Sequence, residues 1–528
     1  METLQKAFDE RNTKLNKIEK IKELKTPMSV YEKLDEICSK GVADVRDEDT
    51  AYFFKCFGIY HKKDDTFMLR LRIAAGQLSV EQAQKIGEIS HRFGDDYIDI
   101  TTRQQIELRF LKLEDLPVVL KELESVGISP FQTGVDNFRN IVTSSFDGLG
   151  DKNILVCKPI IDELQEIFFK KEDWIGVLPR KFNTAILGTK TNDCNIYGHD
   201  CCFVAAFKDN AIGFNLYLGG KVGIQAEDSG LFIAQNEVVQ TFKAIINLFR
   251  EYGFRDNRNK NRLHFLLEAV GMQEFVKAIK ATSGLDYKSS GDILSKDEYI
   301  LDDSGVFYLG DNLDAVHFSI PSGIFKGSDL IKAADLACAN DAQIRLSVEQ
   351  SFYLVAQSNK VKSIQDSELY KEYSAYHNTY FNHQIACAGT ATCSFGVIPN
   401  KPDAIEMANY LQREVPLKNA KVRMYWSGCV KGCGIHGIAD IGFEGCKAKD
   451  DNGNTCYGVH IFIGGKATQK AKEARILYKS VPLTKARDLV KDLMIFYKNE
   501  RLEGESFEKF DTRVLSRLSV EEITSKQY

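Results

Sequence analysis

Four cysteines in two close pairs are the residues best suited to chemistry. Five residues separate Cys387 from Cys393, and three separate Cys429 from Cys433. Thiolates suit soft metals, so the pattern fits structural zinc or an iron–sulfur cluster. The gap of five is wider than the roughly two to four residues of a zinc ligand pair, which favours a cluster, with zinc and ordinary buried thiols as alternatives. The glycines beside the cysteines leave room for a bulky group: Gly389, Gly428, Gly432 and Gly434.

A second group of cysteines has a weaker pattern. Cys194, Cys201 and Cys202 lie near His199, which suggests another metal site. Their spacing fits no familiar ligand template, so buried thiols are the favoured interpretation. The chain has 13 cysteines, and an odd number in a long chain argues against a disulfide framework.

Basic residues in the first half of the chain form a second candidate set. Arg70 and Arg72 are two positions apart and share one face of a predicted strand. Other basic residues occur at the ends of different predicted elements: Arg103, Arg139, Arg180 and Lys181. If they converge, they can bind a polyanionic cofactor or a small oxyanion, because Arg offers planar paired donors and Lys a point charge.

The elements that must position these residues occur twice. Residues 67–108 and 316–354 both have the pattern of strand, turn at Gly, amphipathic helix and strand. Residues 181–221 similarly match 422–466, and in each copy an Asp, Asp200 or Asp440, follows a Gly by 12 positions. Only the second copy has the cysteine pairs, so we expect the site on a pseudo-twofold axis.

The duplication predicts an α+β fold with two small α+β half-domains and two larger α+β domains. The predicted boundaries are 1–148 for the N-terminal extension and first half-domain, 149–300 for the first larger domain, 301–370 for the second half-domain, and 371–528 for the cysteine-containing domain and C-terminal extension. A chain of 528 residues is long enough for several such units.

Composition narrows the class of protein. Hydrophobic residues make up 44% and charged residues 27% of the chain, which is typical of a folded enzyme. The formal net charge of -5 gives no general attraction to nucleic acid or to anionic membranes. No apolar run is long enough for a membrane helix and the first 20 residues do not resemble a signal peptide, so we expect a cytoplasmic protein without a membrane or nucleic-acid partner.

Several motifs together resemble the siroheme-dependent nitrite and sulfite reductases. They are residues 67–73, 101–104 and 178–183, the two cysteine pairs, and the order of both repeats, and the resemblance covers about residues 16–499. It implies that the two half-domains are ferredoxin-like. It also implies that a [4Fe-4S] cluster is ligated by Cys387, Cys393, Cys429 and Cys433, with Cys433 also bridging to the iron of siroheme. It further implies substrate-binding roles for Arg70, Arg139, Lys181 and Asn183. Arg103 and Arg180 match positions that bind siroheme carboxylates.

The resemblance favours nitrite as the substrate. Sulfite reductases typically have Lys where this chain has Asn183, and nitrite carries less negative charge than sulfite. Asp99 and Lys401 also resemble nitrite reductases, while assimilatory sulfite reduction is the alternative. The chain departs from the family at Glu107, where a Gln is often found. This carboxylate would repel those of siroheme unless it is protonated or paired, for which Arg109, two residues along the same strand face, is available.

The electron source is expected to be another protein. The sequence has no flavin or dinucleotide fingerprint, so a ferredoxin or a flavoprotein subunit is the predicted donor. A further departure at Val430 and Lys431, where many family members have Pro-Asn, lies beside a predicted ligand. Two hypotheses without reductase activity are a structural zinc protein and a catalytically silent siroheme-binding scaffold.

Overall fold

The computed structural model describes residues 1–62, 64–221, 223–296, 304–467 and 472–525. Within these residues the chain forms four sheets with helices packed against them. Among the described helices, none combines the length and apolar character that crossing a lipid bilayer requires.

The N-terminal part contains the first half-domain. Its helices are Glu2–Arg11 (α1), Lys17–Lys22 (α2), Pro27–Tyr31 (α3), Leu34–Lys40 (α4), Phe54–Cys56 (α5), Val80–Phe93 (α6) and Leu116–Ser125 (α7). Its strands are Ile59–His61 (β1), Phe67–Arg70 (β2), Gln77–Leu78 (β3), Tyr97–Ile100 (β4) and Ile106–Leu111 (β5). Ser79 begins α6 with a capping box to Gln82, and apolar residues three and four positions apart bury one face of this helix.

The next part forms the first larger domain. Its helices are Lys158–Glu166 (α8), Val238–Tyr252 (α9), Leu263–Val270 (α10) and Met272–Ser283 (α11). Its strands are Thr184–Leu187 (β6), Cys201–Lys208 (β7), Ala211–Leu218 (β8), Glu227–Ile233 (β9), Lys288–Ser289 (β10) and Asp292–Ile293 (β11). The strands pair in the order β10-β9-β8-β7-β11, and β6 pairs with β7 in parallel.

The second half-domain follows. Its strands are Val306–Gly310 (β12), Leu313–Phe318 (β13), Ile324–Lys326 (β14), Gln343–Leu346 (β15) and Phe352–Gln357 (β16). Its helices are Gly327–Ala339 (α12), Val361–Gln365 (α13) and Glu368–Ser374 (α14).

The C-terminal part contains the cysteine loops. Its strands are Gln384–Ala386 (β17), Met424–Ser427 (β18), Ile441–Lys449 (β19), Thr455–Ile463 (β20) and Arg475–Pro482 (β21), paired in chain order. Its helices are Lys401–Glu414 (α15), Leu483–Glu500 (α16), Phe507–Arg513 (α17) and Val520–Thr524 (α18).

The two half-domains exchange strands reciprocally. The first sheet has the order β1-β2-β5-β4-β14 and the second β12-β13-β16-β15-β3, so each copy adds one strand to the sheet of the other. The side-chain amide of Gln104 donates to the carbonyl of Leu346, and that of Gln350 donates to the carbonyl of Ile100. One hydrophobic core spans both copies. The half-domains therefore form one unit about a pseudo-twofold axis.

Arg72 ties this unit to the segment that carries Arg139. Its buried guanidinium donates to the carbonyls of Gln132, Phe138 and Arg139 at 3.1, 2.8 and 3.2 Å. Burial lowers the pKa of Arg72 to about 9. Hydrogen bonds to carbonyl dipoles offset this desolvation, together with the rings of Phe168 and Phe169, whose centroids each lie 5.6 Å from the guanidinium. The side chain therefore acts as a structural cross-link.

We predict that Arg72→Met lowers the free energy of unfolding by about 1–3 kcal/mol, because buried carbonyls lose their donors. Urea unfolding followed by circular dichroism measures the change. Arg92→Met, which removes an exposed ion pair with Glu122, is the control and should cost less than about 1 kcal/mol. Equal losses in the two variants would contradict the cross-linking role.

Candidate active site at the cysteine loops

A cavity of about 720 Å³ lies between the first half-domain sheet and the cysteine loops. Its walls include the four paired cysteines, Arg70 and Arg103, together with Asp99, Glu107, Arg109 and Lys401. The structure thus brings together residues more than 300 positions apart in the chain. A cavity of this size can hold a cofactor much larger than a single ion.

Parallel pairing of β17 with β18 places the cysteine loops side by side. Ile385 is in register with Tyr425, and both loops leave the carboxyl ends of these strands. The amide of Cys387 donates to the carbonyl of Trp426 at 3.1 Å, which holds the start of one loop against the other strand. All four predicted ligands consequently face the same cavity.

Hydrogen bonds orient the thiol of Cys387. Its sulfur accepts from the amide of Gly428 at 3.2 Å and from the side-chain amide of Asn400 at 3.5 Å. Burial raises the pKa of the Cys387 thiol to about 12, and the neighbouring charge of Cys433 adds to the rise. A metal ligand must be a thiolate, and burial disfavours this charged form. The positive charge of a bound cluster would have to offset that effect.

The glycines of these loops serve close packing of the backbone, and Gly389 and Gly428 also line the cavity. A Cβ at Gly389 would collide with the carbonyl of Pro399, and one at Gly434 with the carbonyl of Trp426. Gly428 lies against the backbone of Gly389. They allow the loop backbones to pack closely on each other, which is a requirement of the protein itself.

The predicted basic residues converge beside the cavity. Burial lowers the pKa of Arg139 to about 9, and the charges of Arg70, Arg103 and Arg180 lower it further, although Tyr60 opposes them. Arg139 donates from Nη2 to the carbonyl of Val135 at 3.0 Å, whereas its Nε and Nη1 have no partner among the described residues. Its unused donors are suited to an anion.

Lys181 lies in the same cationic region. Burial lowers the pKa of its ammonium group well below the usual value, and the charges of Arg262 and Arg103 act in the same direction, although Cys433 opposes them. Arg103 also has a buried Nε without a partner in the part of the chain that the structure describes. Buried charges are costly unless they are paired, so this region is arranged for a negatively charged group.

Asp200 holds the backbone of Asn183, and Arg262 in turn holds Asp200. Neither role was predicted from the sequence. The backbone amide of Asn183 donates to Asp200 Oδ2 at 2.8 Å. Arg262 donates to the same carboxylate from Nε and Nη2 at 2.8 and 2.7 Å. The Oδ1 of Asn183 is buried and meets no donor within the described residues. The repeated Gly-to-Asp spacing was the available signal for Asp200, but Arg262 lies 62 residues further along the chain.

Glu107 is paired, as the strand spacing predicted. Its Oε2 lies 2.5 Å from Arg109 Nη2, and its Oε1 lies 2.7 Å from Arg70 Nη2. Burial opposes ionisation of Glu107, but the Arg109 and Arg70 guanidiniums outweigh it and hold the pKa of this carboxyl well below its usual range. Asp99 extends the network, since it contacts Arg109 at 2.6 Å and Lys401 at 2.5 Å.

The second cysteine group lies in the hydrophobic cores. Cys201 packs in one core cluster, while Cys194 and Cys202 pack in another. His199 Nδ1 lies 3.0 Å from the carbonyl of Ile196. Burial raises the pKa of all three thiols, which is the behaviour of core cysteines.

Two family models match the chain. The model described as "Nitrite and sulphite reductase 4Fe-4S domain" matches residues 134–286 and 382–525, which is more than half of the chain. The chain belongs to the nitrite and sulphite reductase family. A second model, "Nitrite/Sulfite reductase ferredoxin-like half domain", matches residues 60–126. The predicted family, the α+β fold and the presence of a [4Fe-4S] cluster are thereby confirmed.

Individual proteins of this kind align along nearly the whole chain. The ferredoxin–nitrite reductase of Synechococcus elongatus is 32% identical over 498 residues, covering 91% of this chain and 96% of its own length. The chloroplastic ferredoxin–nitrite reductase of Spinacia oleracea is 29% identical over 516 residues, covering 92% and 86%. The structure of the Mycobacterium tuberculosis NirA protein superposes with a TM-score of 0.87 at 23% identity, covering 97% of this chain and 98% of its own, and shares the fold.

The duplication gives Cys433 a counterpart in the first copy. Both Cys433 and Asp193 follow the aligned glycines, Gly428 and Gly188, by five positions. The buried Asp193 accepts from the hydroxyl of Ser144 and the amide of Ser145, while its Oδ1 has no described partner. Burial raises the pKa of Asp193 to about 7.

Asp193 should make stability fall as pH rises. The pKa of an Asp in the unfolded chain is about 3.9. Between roughly pH 4 and pH 7 the unfolded chain therefore releases a proton that the folded chain keeps, and the free energy of unfolding falls by about 1.4 kcal/mol per pH unit. Asp193→Asn has no carboxyl group to titrate at this position. The free energy of unfolding of this variant, relative to that of the native chain, should therefore rise by about 2 kcal/mol from pH 5 to pH 7. Urea unfolding at both pH values measures it, with the surface variant Asp341→Asn as the control. A constant difference would contradict the raised pKa.

Proposed function

We propose that this protein reduces nitrite to ammonia in a six-electron reaction, with electrons from a ferredoxin or a similar donor. The observation that carries the proposal is the nearly full-length alignment with ferredoxin–nitrite reductases, of which one is 32% identical. The buried cations beside four thiols support it, because the cations can bind an anionic substrate and the thiols can hold a redox cofactor. A cytoplasmic location is part of the proposal.

The residues present fit a [4Fe-4S] cluster and siroheme. The four cysteines line one cavity and would hold the cluster, with Cys433 shared with the siroheme iron. Arg103 and Arg180 would bind siroheme carboxylates, and the unpaired Nε of Arg103 supports this role. When bound, the cofactors would supply the single-electron chemistry that reduction of the oxyanion requires. The protein contributes placement and the electrostatic field.

The remaining polar residues would act on the oxyanion. Arg139 has three N–H groups, on Nε and Nη1, without a partner among the described residues, and the nearby Arg70 adds a positive charge. Lys181 Nζ holds a proton that burial and adjacent cations make easier to release, which suits a proton donor to departing oxygen. Asn183 supplies a neutral polar group where sulfite reductases have a further cation. That choice favours the singly charged nitrite.

The test compares nitrite and sulfite with holo-protein and a reduced low-potential dye. We expect kcat/KM for nitrite to exceed that for sulfite. Lys181→Ala should retain both cofactor spectra and lose roughly 100-fold in kcat/KM, the scale of a general acid. The exposed Lys190→Ala is the matched control. Turnover of neither oxyanion by the native protein would overturn the proposal, and full activity in Lys181→Ala would overturn the role of that residue.

A docking surface for the donor lies beside the cluster loops. Phe395 and Val430 are 59% and 79% exposed, although each is within two residues of a predicted cluster ligand. Lys431 Nζ lies 3.0 Å from the centroid of the Phe395 ring. An acidic electron-transfer protein with an apolar centre matches this combination of exposed apolar groups and a cation, and it would approach the cluster closely.

We predict that Val430→Glu raises KM for reduced ferredoxin by roughly fivefold or more, because it adds a negative charge to an apolar contact. Activity with the small dye should stay within twofold of native, since the dye needs no docking surface. Iron content confirms that the cluster is intact, and Val118→Glu, on α7, controls for an added surface carboxylate. An unchanged KM would remove this surface from the donor interface.

A further inference from the structure

Glu107 is a buried acid in a cavity wall that is rich in cations. It is only 6% exposed, and both of its oxygens are engaged by guanidiniums. Arg70 donates from Nε and Nη2 to Oε1, and its Nη1 donates to Tyr60 Oη and to the carbonyl of Thr133 at 3.3 Å each. Of the five N–H groups of Arg70, one therefore remains for a ligand.

Arg139 provides the contrast. Its Nε and both hydrogens of Nη1 are unused by described residues, so it can grip an oxyanion at two points. Arg70 can make one contact only while Glu107 holds it. Two-point recognition of the anion is thus left to one of the two arginines.

Glu107 also reduces the charge of the wall. Arg70, Arg109 and Lys401 contribute three positive charges to the network, and Asp99 and Glu107 contribute two negative charges, which leaves a net charge of one. Lys62 lies on the same wall and faces Glu107 as well. Without the Glu107 carboxylate, the network would carry two positive charges, and a doubly charged anion would gain more from that change than a singly charged one.

We propose that Glu107 is a specificity-determining residue that excludes dianionic sulfite in favour of monoanionic nitrite, by occupying Arg70 and cancelling one positive charge. The inference rests on the proposed function. It assigns part of the substrate choice to a group that does not touch the substrate. Asn183 and Glu107 then act in the same direction, one by omitting a cation and the other by neutralising one.

The experiment compares holo-enzymes carrying Glu107→Gln and Glu107→Asp with the native protein. Gln keeps an acceptor for Arg70 and removes the charge, whereas Asp keeps the charge. We measure kcat/KM for nitrite and sulfite with the dye, and dissociation constants of both anions from the siroheme absorption. In Glu107→Gln the sulfite-to-nitrite ratio should rise on the order of tenfold, the scale of one close charge in a screened site. In Glu107→Asp it should stay near the native value.

The outcomes separate an electrostatic role from a structural one. If Glu107 only held Arg70 in place, both anions would weaken together and the ratio would not move. An unchanged ratio in cofactor-loaded Glu107→Gln overturns the proposal. Should that variant fail to load cofactors, Asp99→Asn removes the same charge from the network without contacting Arg70, and the ratio must rise there instead. Native protein that reduces neither anion would refute the proposed function, whereas nitrite reduction with an unresponsive ratio refutes this inference alone.

Discussion

Positive charge buried without enough carboxylates is the constraint on which the site depends. Arg139 and Lys181 lie among other cations, and the unused donors of Arg139 have no described acceptor. Desolvation by itself makes such an arrangement unfavourable, so the surrounding fold must hold it in place. The backbone amide of Arg139 donates to the carbonyl of Phe182 at 2.8 Å, and Arg72 donates to the carbonyls of Phe138 and Arg139. The placement of these cations is therefore a property of the scaffold.

The duplication explains how one protein holds both a cationic region and a set of thiolates. Strand exchange locks the half-domains together, so loops from the two larger domains meet at a shared interface. Equivalent positions in the two copies carry residues of different chemistry, since Cys433 in one copy corresponds to Asp193 in the other. A thiol facing the cavity can ligate metal, whereas Asp193 is buried and accepts hydrogen bonds from Ser144 and Ser145.

The parts of the structure that were predicted from the sequence are those marked by a regular spacing of residues. The strand–helix–strand repeats gave the α+β duplication, and the two-residue separation of Glu107 and Arg109 gave their ion pair. Asn400 escaped prediction because a neutral side chain 13 positions from Cys387 has no distinguishing pattern. The backbone packing of the loop glycines was not predicted, because close backbone packing and close approach of a ligand favour the same residue type. Convergence of the cations depends on long-range packing, which spacing does not encode.

The two copies of the Asp-to-amide bond show why Arg262 matters. In the second copy the amide of Arg423 donates to Asp440, and the side chain of Arg423 turns back to the same carboxylate at 2.7 Å. Asn183 occupies the equivalent position in the first copy, where Asp200 needs a counterion as much as Asp440 does. Arg262, at the start of α10, provides it from outside the repeat. Because a remote arginine neutralises Asp200, the side chain at position 183 is not needed as its counterion, and a neutral Asn can stand there.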